Sequence, residues 1–180
     1  MRLKREDCAA IAIDYQERLV PVMHNKQALL EKSAMLLRGL GILEVPVLET
    51  RQYPKGLGDT VPEIKAAMTA PVTLDKVAFG CCDDEGILAA LKATGKKTVI
   101  VCGIEGHVCV LQTVTALKEL GFTPVLVADC ISSRREMDLK YAIHRARDEG
   151  AVITTAEALL FELLRVGSGE TFKAISKLVK

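Results

Sequence analysis

Short apolar runs, each closed by a polar residue or a glycine and each followed by a helical stretch, recur along the whole chain, and that alternation leaves few folds open. Strands buried on both faces of a parallel sheet read as continuous apolar runs rather than as alternating patterns. Cys8–Ile13 is such a run, and Thr98–Cys102, β-branched and closed by Gly103, is the clearest. Val45–Thr50, Val72–Asp75, Val125–Val127 and Ala151–Ile153 supply four more. Helices are predicted over Gln27–Leu40 with Gly41 as stop, Pro62–Met68, Asp84–Thr94, and His107–Leu120 with Gly121 as stop. Two more run from an N-cap at Ser133 to Glu149 and from Thr155 onward, and the last dozen residues read as an amphipathic tail. Because each parallel crossover needs a helix, six strands alternating with helices predict a three-layer α/β/α fold around a six-stranded parallel sheet. The 180 residues suit a single domain, 1–180, with a sizeable core.

Charge and cysteine usage narrow the function. Lysine and arginine number 24 against 23 aspartates and glutamates, and a net charge of +1 gives no electrostatic reason for nucleic acid or an anionic membrane as partner. The apolar stretch after the charged Met1–Asp7 stops at Asp14, too short for a secretory signal or a membrane span. Six cysteines in such a chain are expected to be free thiols in a reducing, cytoplasmic setting. None forms Cys-x-x-Cys, and His24, His107 and His144 are too scattered to build a zinc site with them, so no metal is expected. No Gly-x-Gly-x-x-Gly follows the first strand, which leaves dinucleotide binding without its phosphate-cradling loop, and no cofactor is expected.

In open parallel sheets, ligands bind outside the carboxyl ends of the strands, so polar residues just past those ends are the candidates for chemistry. Asp14 follows the first strand, Lys76 follows the third, and Cys109 lies in the first turn after the Gly103-Ile104-Glu105-Gly106 connection. Alone, Asp14 reads first as a turn cap and Lys76 as a surface group, while Cys8, Cys102 and Cys130 read as small core hydrophobes. Cys109 differs by position: the start of a helix sets positive partial charge and free amides beside its sulfur, which favours thiolate and a nucleophile's role. His107, two residues earlier, points about 200° around the axis and is a poor base for that sulfur. The adjacent Cys81-Cys82 has no second pair and reads as packing.

Three segments, Ile11-Ala12-Ile13-Asp14-Tyr15-Gln16, Asp75-Lys76-Val77-Ala78-Phe79-Gly80 and Gly103-Ile104-Glu105-Gly106-His107-Val108-Cys109-Val110-Leu111-Gln112-Thr113, resemble in order and spacing the isochorismatase-like cysteine hydrolases, a family that includes nicotinamidases and carbamoylsarcosine amidohydrolases. Ala128–Arg134 and Gly150–Glu157 resemble that family too. The resemblance implies an Asp14, Lys76, Cys109 triad, with the thiol attacking a carbonyl carbon, Asp14 moving its proton and Lys76 favouring both charged partners. It also implies a cis peptide before Glu105 that turns the amides of Glu105 and Cys109 toward one oxyanion. The loop Arg51–Asp59 has no histidine, unlike the metal-binding loop of nicotinamidases, so a metal-assisted nicotinamidase is not expected. Gln16, Tyr53 and Phe79 are the candidate substrate-facing residues, Tyr53 and Phe79 having packing as their alternative, and the Glu105 side chain is expected to turn away and bond neighbouring backbone. The implied activity is hydrolysis of a carbon–nitrogen bond in a small amide; vinyl ether cleavage, or a catalytically idle domain serving assembly, are the alternatives. Relatives form homo-oligomers, and Leu159–Leu164 is the candidate shared surface, with a place in the core as its alternative.

Overall fold

The computed structural model describes residues 1–180, folded around one six-stranded sheet in the order β3-β2-β1-β4-β5-β6, with every pair parallel. The strands are β1 (Cys8–Ile13), β2 (Val47–Gln52), β3 (Val72–Lys76), β4 (Thr98–Ile104), β5 (Thr123–Ser132) and β6 (Val152–Thr154). The helices are α1 (Lys26–Ile42), α2 (Pro54–Leu57), α3 (Pro62–Lys65), α4 (Glu85–Ala93), α5 (Leu111–Glu119), α6 (Glu136–Asp148), α7 (Ala156–Leu164) and α8 (Gly169–Leu178).

The side-chain period of two along a strand sorts the core into two layers. On β1, Cys8, Ala10 and Ala12 face the α1 and α7 side, where they meet Leu36, Leu37, Leu40 and Leu160. Ala9, Ile11 and Ile13 face the opposite side with Ile87, Leu91, Val114 and Leu117 of α4 and α5. Strand β4 divides the same way: Ile100, Cys102 and Ile104 join the first cluster, Val99 and Val101 the second. Helices α1 and α7 of this layer pack closely against each other: a Cβ at Gly39 of α1 would come within 2.5 Å of the Leu160 side chain of α7. Leu159, Leu160 and Leu163 are buried in this layer with Phe161 and Leu164 packed against it, so the Leu159–Leu164 segment takes the place in the core that was its alternative reading.

Two glycines read as stops lie inside their elements for steric reasons. Helix α1 runs through Gly41 to Ile42, and a Cβ at Gly41 would sit 2.6 Å from Thr69 Oγ1; the left-handed turn comes later, at Glu44 with φ 58°. Strand β4 continues through Gly103, whose φ is 125° and whose Cβ would fall 2.1 Å from the Ile13 carbonyl oxygen. Only glycine allows that approach of β4 to the end of β1. The register between β4 and β5 shifts over the same stretch, and β5 runs on past Val127 to Ser132. Ser133 is therefore not the N-cap of α6: Arg135 precedes that helix, and Ser133 is buried with its hydroxyl 2.9 Å from His107 Nδ1.

Strand order reverses between β1 and β4, because the chain adds β2 and β3 on one side and then returns to pair β4 on the other. Such a switch point opens a crevice at the carboxyl ends of the two strands. Asp14 stands at the end of β1 and the Gly106–Val110 turn at the end of β4.

Candidate active site

Asp14 is the first residue beyond β1 and takes a left-handed conformation, φ 54°, that ends the strand while its N–H still donates to the Thr50 carbonyl at 3.1 Å. Aspartate tolerates this region better than most side chains. The turn leaves its carboxylate fully buried at the sheet's edge, where Oδ1 accepts from Thr50 Oγ1 at 2.8 Å and Oδ2 accepts from Lys76 Nζ at 2.7 Å. Lys76, the last residue of β3, has a side chain as inaccessible as its partner's. A buried ammonium needs all three of its protons placed. They are: Nζ donates to Asp14 Oδ2, to Gln52 Oε1 at 2.6 Å and to the Ala78 carbonyl at 3.2 Å.

Cys109 belongs to a π-helical turn, Gly106–Val110, that precedes α5. It is 6% exposed, and its carbonyl accepts from Thr113 Oγ1 at 2.7 Å. The helix-start argument for a thiolate does not hold there. Burial first, and then the negative charge of Asp14, push the thiol from 9.0 up to about 12, against a smaller opposing pull from Lys76. Cys81 feels the same two charges; its sulfur lies 3.9 Å from Thr50 Oγ1 and its N–H donates to Thr113 Oγ1 at 2.9 Å.

The peptide bond between Ile104 and Glu105 is cis. The Glu105 carbonyl accepts from the N–H groups of Val108 and Val110, at 3.1 and 3.2 Å, while its own N–H finds no acceptor in the protein. The Glu105 side chain turns outward, where Oε2 accepts from Arg134 Nε at 2.9 Å and from the Arg134 N–H at 3.3 Å. His107 is engaged with Ser133, away from the sulfur.

Of the three candidate substrate-facing residues, the structure keeps one at a cleft. Tyr53, 55% exposed, lines a depression of about 540 Å³ together with Lys76, Val77 and Ala78. Phe79 is half exposed on the segment after Lys76 and does not line that depression. Gln16 is fully buried: Oε1 accepts from the Gln52 N–H at 2.7 Å, and Nε2 donates to the carbonyls of Gln52 at 2.9 Å and Gly58 at 2.8 Å. With its whole amide occupied by backbone, Gln16 has no group left for a substrate. It clamps the end of β2 instead.

Thr50 and Gln52 are the site residues that the sequence reading passed over. A second β strand ending at Thr50 left Gln52 in a loop, whereas β2 extends to Gln52 and pairs it in register with Lys76. All six cysteines are buried free thiols, and no group of three or more His, Cys, Asp or Glu side chains is gathered in a way that could hold a metal ion.

The isochorismatase domain model matches residues 8–158, which include Asp14, Lys76 and Cys109. The chain is 36% identical to isochorismatase domain-containing protein 2 of Danio rerio over 99% of its own length and 89% of the relative's. It is 34% identical to isochorismatase domain-containing protein 2A of Mus musculus, over 99% and 85% of the two chains. Among solved structures, the MAR1 ribonuclease of Caenorhabditis elegans superposes with a TM-score of 0.93 at 34% identity, covering 99% of this chain and 92% of that one. The YcaC gene product of Escherichia coli, described as an octameric hydrolase of unknown specificity, superposes equally well, with a TM-score of 0.93, at 24% identity over 99% and 90% of the chains, a likeness of fold. On the domain match and on the identity to full-length relatives, this chain belongs to the isochorismatase family and carries its hydrolase fold.

Proposed function

We propose that the chain is a cysteine amidohydrolase that cleaves a carbon–nitrogen bond of a small molecule through a thioester on Cys109. The observation that carries this reading is the buried Lys76–Asp14 ion pair beside the Cys109 thiol. The Cys109 sulfur attacks the amide carbonyl carbon as its proton passes to Asp14, and the oxygen takes the negative charge. The unpartnered N–H of Glu105, joined by that of Cys109, receives that oxyanion. Collapse breaks the carbon–nitrogen bond, and the amine leaves with the proton from Asp14. Water then gives its proton to Asp14 and attacks the thioester, releasing a carboxylic acid and returning the thiol. Lys76 holds the carboxylate in place and offsets charge on the sulfur during both steps, and Tyr53 forms one wall of the substrate's path.

No step in this scheme calls for a metal or a redox cofactor. A ribonuclease reading, the activity named for the C. elegans neighbour, asks for cations free to meet phosphate. The buried ammonium of Lys76 is already committed to Asp14, Gln52 and Ala78, which leaves Lys55 on the wall of the depression as the cation that reading would need. Assembly into homo-oligomers is part of the proposal, supported by the octameric YcaC neighbour of the same fold; a light-scattering mass equal to the 19.5 kDa chain would contradict it. The test of the reaction is a panel of small amides scored for acid and amine release, with an RNA substrate alongside. Amide turnover that vanishes in Cys109→Ala supports the proposal, and RNA cleavage without amide turnover overturns it.

A further inference from the structure

We infer that Gln52 is a positioning residue that holds Lys76 in its working orientation through a neutral acceptor, leaving the ammonium's charge to Asp14 and Cys109. The inference rests on the cysteine-hydrolase reading of the site. It starts from geometry: the amide oxygen of Gln52 lies 2.6 Å from Lys76 Nζ, and its Nε2 donates to the Val77 carbonyl at 2.7 Å. Each end of the amide thereby fixes the other. Turning it over would press NH2 against NH3⁺ and two oxygens against each other.

The backbone of Gln52 is itself gripped. Gln16 accepts from the Gln52 N–H and donates to the Gln52 carbonyl, as an extended strand partner would. Gln16 lies two residues past Asp14, so a continuous chain of contacts runs from the end of β1 through Gln16 and Gln52 to Lys76 and returns to Asp14. The titratable groups facing one another in this pocket are Asp14, Lys76, Cys81 and Cys109. A carboxylate in place of the Gln52 amide would share the ammonium between two anions and weaken its pull on the Cys109 sulfur. A neutral oxygen gives the third proton of Lys76 an acceptor without that competition.

The test reads the reactivity of Cys109 directly, without knowledge of the substrate. Iodoacetamide alkylation of the Cys109 peptide is followed by mass spectrometry across pH in wild type, Gln52→Glu, Gln52→Met and Lys76→Met, with circular dichroism checking the fold. In Gln52→Glu, an acceptor of the same reach but opposite charge to its partner, alkylation at one fixed pH below 9, where the protein stays folded, should slow about tenfold, the equivalent of one pH unit and the low end for a charge added beside such a site. In Gln52→Met, with the acceptor gone, alkylation at one fixed pH should slow about tenfold, as expected for losing a hydrogen bond to a charged group. A structural filler would change stability and leave both readouts at wild-type values. Folded Gln52 variants that superimpose on wild type while Lys76→Met is slowed would overturn the role of Gln52 alone. Lys76→Met superimposing on wild type as well would overturn the hydrolase reading on which that role rests. If Gln52→Glu does not fold, Gln52→Met decides.

Discussion

Replacing Lys76 by methionine should destabilise the protein far more than a surface lysine would, and restoring charge balance should recover about half of the loss. Methionine keeps much of the stem and removes the ammonium. What remains is a carboxylate with no access to solvent, held only by the Thr50 hydroxyl, together with a Gln52 oxygen and an Ala78 carbonyl that have lost their donor. Removing one partner of a buried ion pair costs about 3–5 kcal/mol, because the other charge stays behind uncompensated. Asp14→Asn alone strands the ammonium in the same way and should cost a similar amount. The double variant has no buried charge, and its remaining deficit is the unpaired acceptors, about 1–3 kcal/mol. The double variant is then more stable than either single one, with a coupling energy of about 3 kcal/mol or more. Urea unfolding followed by circular dichroism is the assay, since the chain has no tryptophan to report by fluorescence. A Lys76→Met protein as stable as wild type, or a double variant that loses the sum of the two single losses, would refute the buried pair.

Gly103→Ala should abolish soluble folded protein or lower its stability by more than about 3 kcal/mol, because the added Cβ would meet the Ile13 carbonyl oxygen at 2.1 Å in a backbone that cannot yield; near-wild-type unfolding would show that β4 does not approach β1 so closely. Stability should fall as pH rises above 9, the ordinary thiol value, and go on falling through about 11 to 12, since burial pushes Cys81 up to about 11 and Cys102 and Cys109 up to about 12. The unfolded chain loses these protons first, so each thiol removes about 1.4 kcal/mol per pH unit across its window, and a flat urea midpoint from pH 8 to 10.5 would contradict the burial. Amide turnover should survive chelators, and elemental analysis should find no stoichiometric metal; activity lost on metal removal and regained on its return would reopen a metal-assisted mechanism.

How much of this was legible in the sequence depended on whether a residue's role is local. The apolar runs marked every strand; β1 and β4, buried along their whole length, carry the clearest signature, whereas the edge strands β3 and β6 are exposed or half-buried and show only as short β-branched runs. Asp14, Lys76 and Cys109 could be placed at strand ends by the same logic, and the family resemblance joined them. Gln52 and Thr50 were missed because their roles lie across the sheet. A glutamine two residues past an assumed strand end carries no signal until the register pairs it with Lys76. Extending β2 to the residue that pairs with Lys76 would have found it. Gln16 was misjudged for the opposite reason: proximity to Asp14 suggested a substrate contact, whereas its amide is consumed by the backbone of Gln52 and Gly58. The helix-start argument for a thiolate at Cys109 left out desolvation and the Asp14 charge, both tertiary, which push the thiol up. Gly41 and Gly103 looked like punctuation, but Thr69 and Ile13 press on them from distant parts of the chain.

The central claim is that Cys109 becomes covalently acylated, and rapid acid quench during turnover of an amide found by the substrate panel, followed by mass spectrometry of the intact chain and its peptides, tests it most directly. The account predicts a mass increase equal to the substrate's acyl group, confined to the peptide containing Cys109 and absent in Cys109→Ala, whose circular dichroism matches wild type. Amide hydrolysis that persists in purified Cys109→Ala, or an acyl group carried on another residue, would contradict it.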